Sequence, residues 1–200
     1  MSASSEPKPV IMLSSTVYGI EDLLEQISAA LRGFGYEVWL SHKGTLPVDP
    51  QKTAFENCLD AVDKCDLFLG LITPRYGSGK EGVEKSITHQ ELLRAIKLNK
   101  LRWFLAHDHV AFARQLLKQY RFNLDDTPKP DFVFKRTSVL DDVRVIDMYE
   151  AAIRRGVPLA ERSGNWVQPY FRHEDAMEFV RSQFGDLEQI TERIAQRRAS

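Results

Sequence analysis

Asp66-Leu-Phe-Leu-Gly-Leu-Ile72 carries one charge at its head and no polar side chain after it, and it opens at once into Thr73-Pro-Arg75-Tyr-Gly77. A strand with one wet face alternates polar and apolar residues. A run without alternation marks a strand covered on both faces, as in parallel sheets. Parallel neighbours need a crossover, so helices are expected on either side of it. Val10-Ile-Met-Leu-Ser-Ser-Thr16 has the same form, an apolar run stopping abruptly in hydroxyls. Open α/β sheets bind ligands beyond the carboxyl ends of their strands. The polar groups after Leu13 and Ile72 are therefore expected to meet in one pocket.

Between these two runs, Ile20, Leu23, Leu24, Ile27 and Leu31 recur with the spacing of an amphipathic helix, ended by Gly33 and Gly35. Tyr36 to Leu40 reads as a second strand and Ser41 to Pro50 as a loop. Ala54 to Cys65 gives a second helix, Thr88 to Asn99 a third, and Leu101 to Ala106 a fourth strand. The order βαβαβαβ predicts a mostly parallel sheet with helices on both faces. Thr73 to Lys85, with Gly77, Gly79 and Gly82, is a loop long enough to be functional or mobile. Helices are then expected over Val110 to Tyr120 and Asp141 to Arg155, around a turn-rich break at Asn123 to Pro130 and a short strand at Asp131 to Lys135. A last strand over Trp166 to Phe171, a helix over Glu174 to Phe184 and a segment Leu187 to Ile194 complete the reading. Residues 1–9 read as a disordered tail, 10–185 as one α/β domain with an insertion at 107–162, and 186–200 as a helix with a basic tail.

The 200 residues, 43% hydrophobic and 28% charged, suit one soluble globular domain with an elaboration. A net charge of −1 gives no global attraction to nucleic acid or anionic lipid, so neither is expected as a partner. No apolar run approaches the ~20 residues that span a bilayer. Met1 to Pro9 has no signal-peptide core, so a cytoplasmic location is expected. Cys58 and Cys65, seven apart on one helix, suit buried thiols better than a disulfide.

The loop Ser14-Ser15-Thr16-Val-Tyr18-Gly19 sets three hydroxyls and a phenol ahead of a helix N-terminus. It either binds an anion there or merely caps the helix. It lacks the Gly-x-Gly-x-x-Gly of dinucleotide folds, which argues against a dinucleotide held in the usual Rossmann manner. Arg75 offers a planar fork for phosphate or carboxylate, and Tyr76 a flat face for a base or nicotinamide ring. Thr88-His89-Gln90-Glu91 matches a capping box, yet a Glu facing the strand ends is also placed to stabilise an oxocarbenium ion or attack an anomeric carbon. Sequence pattern does not separate the two. His107-Asp108-His109 invites a metal reading without a third ligand, so no metal is expected. Arg144 and Asp147 read as a surface pair, and the alternate aromatics of Trp166-Val-Gln168-Pro-Tyr170 as one packed face.

Together, Ile11-Met-Leu-Ser-Ser-Thr16, Cys65-Asp-Leu-Phe-Leu-Gly70, Arg75-Tyr-Gly-Ser78 and Ser86-Ile-Thr-His-Gln-Glu-Leu92 with Ala95 resemble the bacterial domain-of-unknown-function family 4062, over roughly Val10 to Trp103. That family is similar to the TIR and nucleoside deoxyribosyltransferase-like group. The resemblance implies a three-layer, flavodoxin-like (Rossmann-like) α/β fold, here with a helical elaboration in the C-terminal half. It also implies cleavage or transfer at the N-glycosidic bond of NAD or a nucleotide, in bacterial stress or antiphage signalling. NAD would then be substrate rather than cofactor, and a homo-oligomer or a signalling NTPase would be the partner. Carried over by position, Glu91 is the catalytic carboxylate, Asp66 the strand-start aspartate, and Ser14 and Ser15 fall on the first-strand loop. Asp66 and the two serines, with Tyr18, Arg75, Tyr76 and Ser86, make the expected substrate-binding set. Leu92 stands where the family commonly has tyrosine. The competing expectation is a non-catalytic nucleotide-sensing or interaction module.

Overall fold

The computed structural model describes residues 7–77 and 85–199. The expected disordered tail lies mostly outside them, as do Ser78, Gly79 and Gly82 of the long loop. The strands are β1 (Val10–Ser15), β2 (Glu37–Trp39), β3 (Leu67–Ile72), β4 (Leu101–His107) and β5 (Val167–Tyr170). The helices are α1 (Glu21–Gly33), α2 (Ala54–Lys64), α3 (Ile87–Lys97), α4 (Asp108–Arg121), α5 (Arg144–Ala152), α6 (His173–Phe184) and α7 (Leu187–Ala199). All four strand pairings are parallel, in the order β2-β1-β3-β4-β5. This is a three-layer, flavodoxin-like α/β sheet.

Strand side chains alternate between faces, and the two faces build two cores. Ile11, Leu13, Leu67, Leu69, Leu71 and Leu105 pack against α1, α6 and α7. Met12, Phe68, Ile72, Phe104 and Ala106 pack against α2, α3, α4 and α5. β3 is buried at every position, as its unalternating sequence predicts. Gly70 lets the rings of Phe68 and Phe104 close over it, since a Cβ there would lie 2.9 Å from Phe104 Cδ1 and 3.0 Å from Phe68 Cε1. Leu140, Val145, Ile146 and Met148 enter the second core, so the 107–162 stretch completes a layer of the fold.

Three local expectations are corrected. Asp131 to Lys135 forms no strand. It alternates in burial but pairs with no strand among the described residues, and the isolated bridge just before it joins Phe122 to Pro128. The helix expected from Asp141 spans only Arg144–Ala152, because the Asp142 carboxylate takes the Arg144 N–H and Arg154 turns to φ +54 at the other end. The last helix is longer than expected, and its Ile190 and Ile194 are buried in the first core.

Candidate functional site

β1 leads to β2 on one side, whereas β3 leads to β4 on the other. Where strand order reverses in this way, the loops after the strands diverge and leave a crevice. A cavity of about 910 Å³ lies there, with Thr16 and Tyr18 from the loop after β1 and Arg75 and Gly77 from the loop after β3. Arg136, Thr137, Ser138 and Asp141 close its outer side. Gly77 has φ +80, and a Cβ on it would sit 2.9 Å from Thr16 Oγ1, so glycine lets the two loops approach.

Glu91 meets Ser14 beneath this crevice. Ser14 points from β1 toward α3, and its hydroxyl donates to Glu91 Oε2 at 2.5 Å, both residues being 3% exposed. Burial pushes the Glu91 carboxyl up to about 7, against the opposing pull of hydrogen bonds from Ser14 and the Cys58 thiol. Among the described residues no positively charged group enters that balance. Burial, and then the facing Glu91, push the Cys58 thiol up to about 12, so it stays protonated and donates. Glu91 is not on the crevice wall.

The capping-box reading is corrected. Ser86 is the N-cap of α3, and its hydroxyl accepts from the His89 N–H at 3.3 Å. Thr88 lies inside the helix and is buried, and Glu91 falls in the second turn. The reading of Tyr76 as an open stacking face is also corrected. Tyr76 is 3% exposed, and the Arg144 guanidinium lies 4.2 Å over its ring. Its hydroxyl pairs with His89 Nδ1 at 2.8 Å and accepts the Ser86 N–H at 3.2 Å, while its own N–H donates to Asp141 at 2.9 Å. It fixes the start of α3. Burial lowers the His89 pKa to about 4, leaving a neutral imidazole.

Asp66 lies at the wrong end for this site. It precedes β3 at the amino edge of the sheet, some ~20 Å along the strand from the crevice. There it accepts the Val10 N–H at 2.9 Å and pairs with Arg198 at 2.6 Å. Ser15 points to the opposite face from Ser14 and spends its hydroxyl on the Leu71 and Thr16 carbonyls. Ser86, fully buried as the cap, is off the wall. Arg75 reaches the crevice but donates to the Ser138 carbonyl at 2.9 Å, and Tyr18 stands 81% exposed on its rim. The sequence reading missed Arg136 and the hydroxyls of Thr137 and Ser138. A cation beside two hydroxyls was their signal, hidden by the strand assigned just before them. His107 and His109 cap and begin α4 with rings 4.5 Å apart, and among the described residues no three potential ligands gather for a metal.

Among the described residues no helix is long and apolar enough to cross a membrane. No curated protein matches the chain. The family model described as a domain of unknown function, DUF4062, matches residues 10–157. With three quarters of its length inside that match, including β1 to β4 and the crevice, the chain belongs to the DUF4062 family.

Proposed function

We propose that the chain is a nucleotide-processing domain, TIR-like in its chemistry, that acts on the N-glycosidic bond of NAD or a related phosphorylated nucleoside. The observation that carries this reading is the Glu91 carboxyl, buried at the strand ends with no cationic partner among the described residues and raised to about 7. A lone buried carboxyl costs stability, and such groups gather where chemistry uses them. Arg136 and Arg75 suit the phosphates, Tyr18 the base, and Thr16 and Thr137 the ribose hydroxyls. Ionised Glu91 would stabilise the sugar cation as the base departs with the bonding electron pair, or attack its anomeric carbon. Glu91 is covered in this conformation, so turnover requires the layer over Ser14 to open. Such an activity would serve bacterial stress or antiphage signalling.

The second reading is a sensor that binds the nucleotide without cleaving it, and Glu91's place behind the crevice wall favours it. Incubating the protein with NAD and measuring nicotinamide release separates the two. Release that Glu91→Gln abolishes supports catalysis, and release that survives it removes Glu91 from the chemistry. No release, with a rise in melting temperature on adding NAD that Arg136→Ala abolishes, supports sensing.

A further inference from the structure

A second cavity, of about 650 Å³, lies away from the crevice between the start of β5 and α6. Trp103 and Phe179 line it half-buried, and the Trp166 indole stands beside them 71% exposed. The three rings together offer a ligand an aromatic surface to stack on.

Most polar side chains around this hollow already hold at least one partner. The Trp166 N–H donates to Gln168 Oε1 and the Trp103 N–H to Gln183 Oε1, both at 3.3 Å. The two amide nitrogens donate to Pro169 O and Ser182 Oγ. Arg102, the one cation on the walls, donates to Asn99 Oδ1, Lys100 O and Ser163 O at 3.0–3.2 Å. Its Nε lacks a partner but is hidden from solvent, out of a ligand's reach. Asp175 accepts the Phe171 and Arg172 N–H groups and the Arg172 side chain. Glu178 remains, an exposed carboxylate with no ion pair or hydrogen bond among the described residues.

What the hollow still offers is therefore one unpaired carboxylate beside the exposed Trp166 ring. Apart from one remaining Arg102 N–H its spare donors are neutral, the Ser182 hydroxyl and the second amide hydrogens of Gln168 and Gln183. Aromatic faces attract cations through their quadrupole, tryptophan most strongly. We propose that this groove binds an organic cation, seated against Trp166 and paired with Glu178. The cation is an ammonium or guanidinium group, either free as a small amine or borne on a Lys or Arg side chain of a peptide. This site is independent of the crevice and of any reaction there.

The test is ligand-observed NMR on the full chain, with tetramethylammonium, spermidine and a short lysine peptide as probes, and neopentyl alcohol as the uncharged isostere. Saturable binding of the cations, with the isostere silent, is expected. Trp166→Ala and Glu178→Gln should each weaken it about tenfold. Both side chains are exposed, so unchanged circular dichroism is expected for the variants. A peptide bound about tenfold more tightly than tetramethylammonium identifies a polypeptide source, and equal binding identifies a free amine. Equal binding of the isostere, no binding up to millimolar concentrations, or full affinity in both variants overturns the proposal.

Discussion

Burial holds the Glu91 carboxyl at about 7 against an ordinary 4.5, so between those pH values the folded chain keeps a proton that the unfolded chain has released. The stability this contributes is present below pH 4.5 and is lost as pH rises through 7, a difference of about 3 kcal/mol. His89 works the other way. Its pKa falls from 6.5 to about 4, so its contribution is present above pH 6.5 and is lost as pH falls through 4. In the shared window the two slopes oppose each other. Glu91→Gln should therefore match the parent protein near pH 4.5 and exceed it by about 1–3 kcal/mol at pH 8, as read by denaturant unfolding at both pH values. A difference that does not grow with pH would contradict the raised pKa. The approach of Ser14 to Glu91 was legible in the apolar run that ends at Leu13. Which serine faces α3 was not, because strand parity is fixed only when each face meets its helices.

The pattern Thr-x-x-Glu occurs near the starts of two helices on this side of the sheet, α2 and α3, and means different things in each. At Thr53 it is a true capping box, with Thr53 N–H on Glu56 Oε2 at 2.8 Å and Glu56 N–H on Thr53 Oγ1 at 3.2 Å. At Thr88 the same spacing lies inside α3, because Ser86 caps two residues earlier and Tyr76 anchors that cap from a distant loop. A contact ten residues away in sequence decides it, and local pattern does not contain it. Ser86→Ala should lower stability by about 1 kcal/mol. Tyr76→Phe should lower it by about 1–3 kcal/mol, since it strips partners from two buried groups. Thermal unfolding checks both, and hydrogen exchange should show the first turn of α3 opening faster. Within β3, Gly70→Ala should cost about 1–3 kcal/mol by forcing the Phe68 and Phe104 rings apart.

For the molecule as a whole, unalternating apolar runs with helical spacing between them gave away the parallel sheet and its two faces. The crevice followed from strand order, but half of its wall did not. Arg136 to Asp141 reach it from a segment that looks like a strand and finds no neighbour to pair with. Membership of the last helix in the main core was also illegible, because its charged surface reads as a solvated tail, whereas Ile190 is fully buried. Ile190→Ala should lower stability by about 2–5 kcal/mol in chemical denaturation, and a loss under 1 kcal/mol would show that α7 is detachable. Asp66, displaced from the crevice, has a consequence for connectivity. One of its oxygens takes the backbone of Val10 and the other the side chain of Arg198, so the entrance to the first strand and the exit from the last helix are adjacent in space. A short peptide would bridge them, and new ends could be opened in the exposed turn at Asn123–Thr127. Such a circular permutant should refold to the same near-ultraviolet circular dichroism.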